Sequence, residues 1–219
     1  VRADGCDYSG PMARFWMRPS PRVSVSYALS DSWSVSAASG IYYQLPPYTA
    51  LGYKDAAGVL VNRSLKYMHV VSSSAGVDYR LRDRLIVTLQ GFYKAYGDIP
   101  LSLRDDIPLT CKGNDYGTVG DEPLVSEADG RAYGLEAMVR WQIAGRVNVI
   151  GSATLYSSEY RRGRGDRYIA SAWDNRFVVN VSGTYDFGRH WSAGAKLSAI
   201  GGAPYTPYDV ELSSLKQAW

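Results

Sequence analysis

The sequence predicts an all-β chain whose strands run as an antiparallel meander, and three observations carry that reading. Apolar and polar residues alternate with a period of two through eight long stretches. Tight turns and long links follow one another in alternation along the chain. Aromatic residues gather near both ends of the stretches and thin out between them. Together they favour a transmembrane β-barrel, with a soluble β-sandwich as the alternative.

Composition sets the outer bounds. Charged residues make up 21% of the 219 and hydrophobic ones 46%, which excludes wholesale disorder. A net charge of +3 is no nucleic-acid signature at this length. No run approaches 18 apolar residues, so neither a transmembrane helix nor a secretory core segment is present. A slightly negative mean hydropathy is compatible with a barrel, because lipid-facing and lumen-facing residues average out. Tyr occurs 18 times against 4 Phe, with 6 Trp, the balance of rings that sit between apolar and wet surroundings. Cys6 and Cys111 lie among Gly, Asp and Asn in expected loops. They lack metal-ligand spacing, and both a single bridge and two free thiols stay open. The chain opens at Val1 without a targeting segment, so a fragment is expected.

The elements follow in order. A strand over 12–29 carries Val23, Val25, Tyr27 and Leu29 on one face, with Ser24, Ser26 and Ala28 opposite. After the turn at Ser30–Ser32, 33–44 alternates Trp33, Val35, Ala37, Ile41 and Tyr43 with Ser34, Ser36, Ala38 and Gly40. The next hairpin pairs 64–81 with 84–96 around Arg82-Asp83. A third pairs 131–143 with 146–157 around Ala144-Gly145-Arg146, and a fourth pairs 174–187 with 190–200 around Gly188-Arg189-His190. The links between hairpins are long, about 45–62, 97–130 and 158–173. Such links count against a compact soluble domain, yet short turns opposite long outer loops are normal in outer-membrane barrels. Trp33, Trp141, Phe187 and Trp191 lie beside the tight turns. Tyr43, Tyr67, Tyr93, Tyr133 and Phe177 lie near the long links, which gives two belts a membrane's thickness apart.

Several stretches then carry a family resemblance. Ser20-Pro21-Arg22, Gly40-Ile41-Tyr42-Tyr43-Gln44-Leu45-Pro46 and Phe92-Tyr93-Lys94-Ala95-Tyr96 resemble the barrels of TonB-dependent outer-membrane receptors. So do Gly130-Arg131-Ala132-Tyr133-Gly134-Leu135-Glu136, Trp173-Asp174-Asn175-Arg176 and Gly201-Gly202-Ala203-Pro204-Tyr205-Thr206-Pro207. Their order looks most like receptors of the Bacteroidetes type, over about 15–219. The resemblance implies a plugged barrel of about 22 strands in the bacterial outer membrane. It implies energised uptake of a scarce ligand: an iron chelate, cobamide, oligosaccharide or peptide. Eight strands in 219 residues scale to about 600 for such a barrel, so 1–219 reads as a partial barrel domain. The inward face is mostly Ser, Gly and Ala, which would underfill a closed barrel of eight strands.

The implied partners are outer-membrane lipid and lipopolysaccharide, a plug domain and TonB outside this segment, and a capping surface lipoprotein. Nucleic acid and cofactors are not expected. A self-contained outer-membrane barrel with a structural or adhesive role, and a soluble sandwich binding module, are the rival functions.

The long links hold the ligand-binding candidates. Eight acids against Arg104 and Lys112 crowd the 97–130 link, among them Asp105, Asp106 and Asp115. They suit a cation or ligand surface, without calcium-loop spacing. The following link reverses sign with Arg161, Arg162 and Arg164, fit to pair with the acidic link or to meet an anionic lipid. Tyr48 and Tyr205 stand at the mouths of outer loops, where they can stack on a ligand. Lys66, Asp78, Arg80, Lys94, Glu136 and Arg140 are assigned to the lumen-facing side, against the plug. An enzyme is not expected. Only His69 and His190 are available, and Ser72–Ser74 lack a nucleophile elbow or an orienting acid at a telling spacing. Metal clusters and phosphate loops are absent from the sequence.

Overall fold

The computed structural model describes residues 2–3, 6–7, 18–82, 84–112, 118–143 and 145–204. A small ribbon of β1 (Arg2–Ala3) and β2 (Cys6–Asp7) comes first, so Cys6 lies in a strand instead of a loop. Then follow β3 (Arg22–Ala28), β4 (Trp33–Gln44), a short helix α1 (Tyr48–Gly52) and a 3-10 turn at Asn62–Ser64. Next come β5 (Met68–Leu81), β6 (Leu85–Ser102) and a second 3-10 turn at Leu109–Cys111. The chain continues through β7 (Leu124–Ile143), β8 (Val147–Arg161), β9 (Ile169–Ala170), β10 (Phe177–Gly188) and β11 (Trp191–Ile200). Residues 12–17 of the first expected strand lie outside the described residues.

One antiparallel sheet joins β3-β4-β5-β6-β7-β8-β10-β11 in chain order, and β9 pairs with β8 beyond the end of β10. Among the described residues β3 and β11 do not pair, so the sheet is an open wall and not a closed barrel of eight strands. The other sheet among them is the β1–β2 ribbon, too small to be the second layer of a sandwich. Among the described residues no helix is long and apolar enough to cross a membrane.

The register explains why the pattern is so regular. Tyr27, Val35, Val77, Leu89, Ala137, Ala153, Val179 and Ala199 stand opposite one another in turn, an apolar row crossing all eight strands. One residue over, the row reads Ala28, Ser34, Asp78, Thr88, Met138, Ser152, Asn180 and Ser198. Polar pairs close within it: Thr88 donates to Asp78 at 2.6 Å and Ser198 to Asn180 at 2.8 Å. A slip of one residue anywhere would carry a whole row to the wrong face, so alternation and register enforce one another.

The tight turns are built locally. Arg189 and His190 both have positive φ, 50° and 73°, the twist-matched hairpin turn that joins β10 to β11. In the first turn the Ser30 hydroxyl accepts from Ser32 and Trp33 amides. Trp33 packs on Tyr79 at 4.7 Å near this end of the wall, and Tyr93 stacks on Tyr133 at 6.5 Å near the other.

The link before β5 is longer than the alternation indicates, because β5 begins at Met68, whereas the acidic link is shorter. The β6–β7 ladder continues to Ser102 and Leu124, so the acidic link shrinks from 97–130 to 103–123 and Asp98, Glu127 and Asp129 are strand residues. Two register shifts, between Tyr96 and Ile99 and between Ile99 and Pro100, break the period of two there. Asp98 adopts a φ of 55° at the irregularity. Beyond the apolar band neither face meets lipid, so backbone pairing persists while the side-chain signal disappears.

Candidate functional site

At the long-link end of β7, Leu124, Ser126, Ala128, Gly130 and Ala132 are all buried while Glu127 and Tyr133 are exposed. The buried set shares its face with Glu136 and Arg140, the polar face of the wall. The links therefore fold back over the polar side. Two apolar clusters anchor them, one of Ala50, Leu65, Leu109 and Leu124, the other of Ile99, Leu101, Ala128 and Tyr160. Gly130 faces Tyr160 across the ladder, and a Cβ there would fall inside the phenol ring.

Asn62 ties the lobe together. It is 1% exposed; its Nδ2 donates to the Ala50 and Glu122 carbonyls at 2.8 and 2.9 Å, and its Oδ1 accepts from the Leu124 amide at 2.8 Å. Thr49 donates to the Val119 carbonyl at 2.5 Å, and Ala172 N–H reaches the Thr110 carbonyl at 3.3 Å. Three separate links thus close on one another.

Charge is resolved inside the lobe. Glu122 is buried, accepts from the Ser102 hydroxyl, and is met by Lys112 Nζ at 2.5 and 2.7 Å. Lys112 also reaches Asp105 at 2.5 Å, and that hydrogen bond holds the Asp105 carboxyl below the usual range. Arg162 pairs with Asp106, stitching the basic link to the acidic one, and lies 3.5 Å from Asp166. Asp174 is buried just before β10, accepting from Ser158 N–H at 3.2 Å and forming an ion pair with Arg176 Nε at 3.2 Å. Burial pushes the Cys111 thiol, unbridged in the structure, up to about 11.

Between the links lies a cleft of about 400 Å³, lined by Pro47, Met68, Pro100, Leu109, Thr110, Lys112, Val119 and Trp173. A second depression of about 320 Å³, running from Gln44 to Tyr48, shares Pro47 and Met68 with it. Trp173, 68% exposed, lines the cleft, and Tyr48, 82% exposed, lines the adjoining depression. The Thr110 hydroxyl is buried without a partner.

Of the expected ligand candidates, Tyr48 lines the second depression. Asp105, Asp106 and Arg162 are drawn into ion pairs, Arg161 is a β8 residue 3.5 Å from Asp129, and Arg164 is exposed in the following link. Asp115 and Tyr205 lie outside the described residues. Asp78, Arg80, Lys94, Glu136 and Arg140 stand on the polar rows. Lys66 lies just before β5, outside the ladder, 3.4 Å from Asp98.

Sequence reasoning misses the cleft wall. Its signal is the apolar content of a nominally acidic link, Leu101, Leu109 and Val119, which no solvated loop requires. It also misses an orienting acid for His69: the register shift brings Asp98 Oδ2 to 3.1 Å from Nδ1. Among the described residues no serine hydroxyl bonds to that imidazole, and no group of three acid, His or Cys residues is placed to hold a metal.

The sequence matches the family described as TonB dependent receptor-like, beta-barrel, over residues 4–217. The structure is similar to the ferric-catecholate import receptor Fiu of E. coli, with 20% identity and a TM-score of 0.59, covering 82% of this chain and 24% of that one. It is similar to the ferripyoverdine receptor of Pseudomonas aeruginosa, with 17% identity and a TM-score of 0.59, covering 82% and 22%. It is similar also to the alcaligin receptor FauA of Bordetella pertussis, with 16% identity and a TM-score of 0.54, covering 83% and 29%. The chain thus spans about a quarter of the length of these structures, and at such identities the likeness shows the fold. No curated protein matches the sequence. A meander wall with one lipid face and one polar face, and a sequence matched over nearly all its length, place this chain in the TonB-dependent receptor family of outer-membrane β-barrels.

Proposed function

We propose that the chain supplies wall and outer links to a receptor that binds a scarce ligand at the cell surface and admits it by energised uptake. A plug domain and TonB would act from outside these residues, and the polar rows with Asp78, Lys94, Glu136 and Arg140 would face the plug. The family is one of transport receptors, not enzymes. The observation that carries the reading is the cleft, built on the polar face where the links fold inward.

Its lining also speaks to the ligand. Oligosaccharide recognition needs many fixed donors and acceptors, whereas the polar groups here are Thr110 and a Lys112 already saturated by Asp105, Glu122 and Ser102. Exposed Trp173 and Tyr48 suit a ligand with a flat or apolar rim, as a metal chelate presents. Similar structures are named as receptors for ferric catecholate and ferripyoverdine and as a copper transporter, which supports the same class. The order of the short motifs supports the Bacteroidetes type.

The test uses the native receptor purified from outer membranes, titrated with a panel of ferric chelates and oligosaccharides while tryptophan fluorescence is followed. Trp173→Ala and Tyr48→Ala should each weaken chelate binding about fivefold, by loss of about 1 kcal/mol of stacking. Unchanged affinity in the double variant would remove the cleft from recognition.

A further inference from the structure

A single exposed aromatic ring calls for no explanation by itself, but the mount of Trp173 does. The indole stands open at the cleft wall, while Ser171, Ala172 and Asp174 around it are buried. Trp173 N–H donates to the Ser171 hydroxyl at 3.0 Å, and Asp174 N–H to the Ser171 carbonyl at 3.0 Å. The Trp173 carbonyl accepts from Asn175 N–H at 2.9 Å and from the Tyr156 hydroxyl at 2.8 Å. The same hydroxyl accepts from Asn175 N–H at 3.4 Å. Ser171 N–H is bonded to the Ser158 carbonyl at 2.8 Å, which pins the turn to β8. Behind it, Gly201 lies against the Asn175 carbonyl with no room for a Cβ.

Tyr156 is the member of this set that comes from the wall. It stands on the polar face of β8, opposite Gly134 of β7. A Cβ at Gly134 would lie 2.8 Å from Tyr156 Cβ, so the glycine leaves the tyrosine its place. Among the described residues, the Tyr156 hydroxyl is the one bond to the Trp173 backbone from outside its own link. Tyr156 itself is not among the residues that line the cleft. With its main chain fixed, Trp173 has only two side-chain torsions left to order when a ligand arrives, which lowers the entropic cost of recognition. We infer that Tyr156 is a positioning residue for ligand recognition: without touching the ligand, its hydroxyl holds Trp173 against the cleft. The inference rests on the reading of the cleft as the recognition surface.

The test compares the native receptor with Tyr156→Phe, Trp173→Ala and the double variant, all purified from outer membranes and checked for folding by heat-modifiable gel mobility. Two readouts are taken. The first is the fluorine resonance of Trp173 in ligand-free receptor grown on 5-fluorotryptophan, assigned by its loss in Trp173→Ala. In Tyr156→Phe it should shift or broaden while the other tryptophan resonances stay in place; an unmoved, sharp resonance overturns the mount whatever ligand is bound. The second is the affinity for a ferric tris-catecholate. Tyr156→Phe should weaken it about threefold, less than the loss of the whole indole, and should cost nothing further once Trp173 is alanine. A loss in Trp173→Ala with none in Tyr156→Phe overturns the positioning role and leaves the cleft standing. Losses that multiply in the double variant also overturn it, because the hydroxyl would then act apart from Trp173. Unchanged affinity in Trp173→Ala removes the cleft itself from recognition, and this role with it. Should Tyr156→Phe fail to fold, Ser171→Ala, which frees the Trp173 N–H, is read in the same two ways: an unmoved resonance and an unchanged affinity count against a fixed mount.

Discussion

Replacing Asn62 with alanine should open the outer lobe while leaving the barrel wall folded. The side chain makes three buried hydrogen bonds, to the carbonyls of Ala50 and Glu122 and from the amide of Leu124. Alanine abolishes all three and strands two acceptors and a donor in a buried site. At about 1 kcal/mol per bond the loss is about 3 kcal/mol, or roughly a hundredfold in the local opening equilibrium. The wall is spared, because Asn62 touches β7 only at its outer end, above the row that contains Leu89 and Ala137. Hydrogen exchange on the native receptor should show amides in 48–65 and 119–126 exchanging about a hundredfold faster, with 70–95 and 132–142 unchanged. Heat-modifiable mobility should be retained. If protection in 48–65 stays at the native level, the three bonds do not hold the lobe, and the role assigned to Asn62 is refuted. If the wall loses protection as well, lobe and wall form one cooperative unit, which refutes their separation.

Further outcomes test the faces and the charges. Leu89→Arg, on the apolar row, should destabilise the barrel in urea by about 2–4 kcal/mol, whereas Gln90→Arg on the polar row should change it little; equal costs would refute the assignment of faces. Asp105 is held below the usual carboxylate range by Lys112, so its contribution to lobe stability is present above pH ~4 and is lost as pH falls through the lowered value. Asp105→Asn should flatten that part of the exchange-versus-pH profile, and an unchanged profile would contradict the pairing. With its thiol near 11, Cys111 in a Cys6→Ser background should react with iodoacetamide at pH 8 more than about a hundredfold more slowly than after unfolding; rapid labelling of the folded protein would show an open lobe.

Much of the candidate site is hidden from sequence reading for one physical reason: it depends on pairs far apart along the chain. Tyr48 stands out in the sequence as an aromatic at a loop mouth, and it does border the depression. Trp173, about 125 residues away, lines the adjoining cleft, where the ladder order brings it. Lys112 counts in the sequence as one of two bases in an acidic link. That it quenches Glu122 and Asp105 together depends on the return of β7 beside β6. Asp98 has the sequence context of a loop acid, whereas the register irregularity places it beside His69 and Lys66.

The wall is written in the sequence, because a strand with one face in lipid and one in water must alternate residue by residue, and that period is local. Alternation, tight turns and aromatic belts therefore determine the all-β meander, the faces and the place of each hairpin. Where the chain leaves lipid, the solvent no longer imposes a period, and burial is set by whichever link happens to fold across. Only the tertiary structure could decide that the links close over the polar face, that Asn62 and Glu122 lie buried beneath them, and that Arg131 and Arg161 flank Tyr168 on the other side.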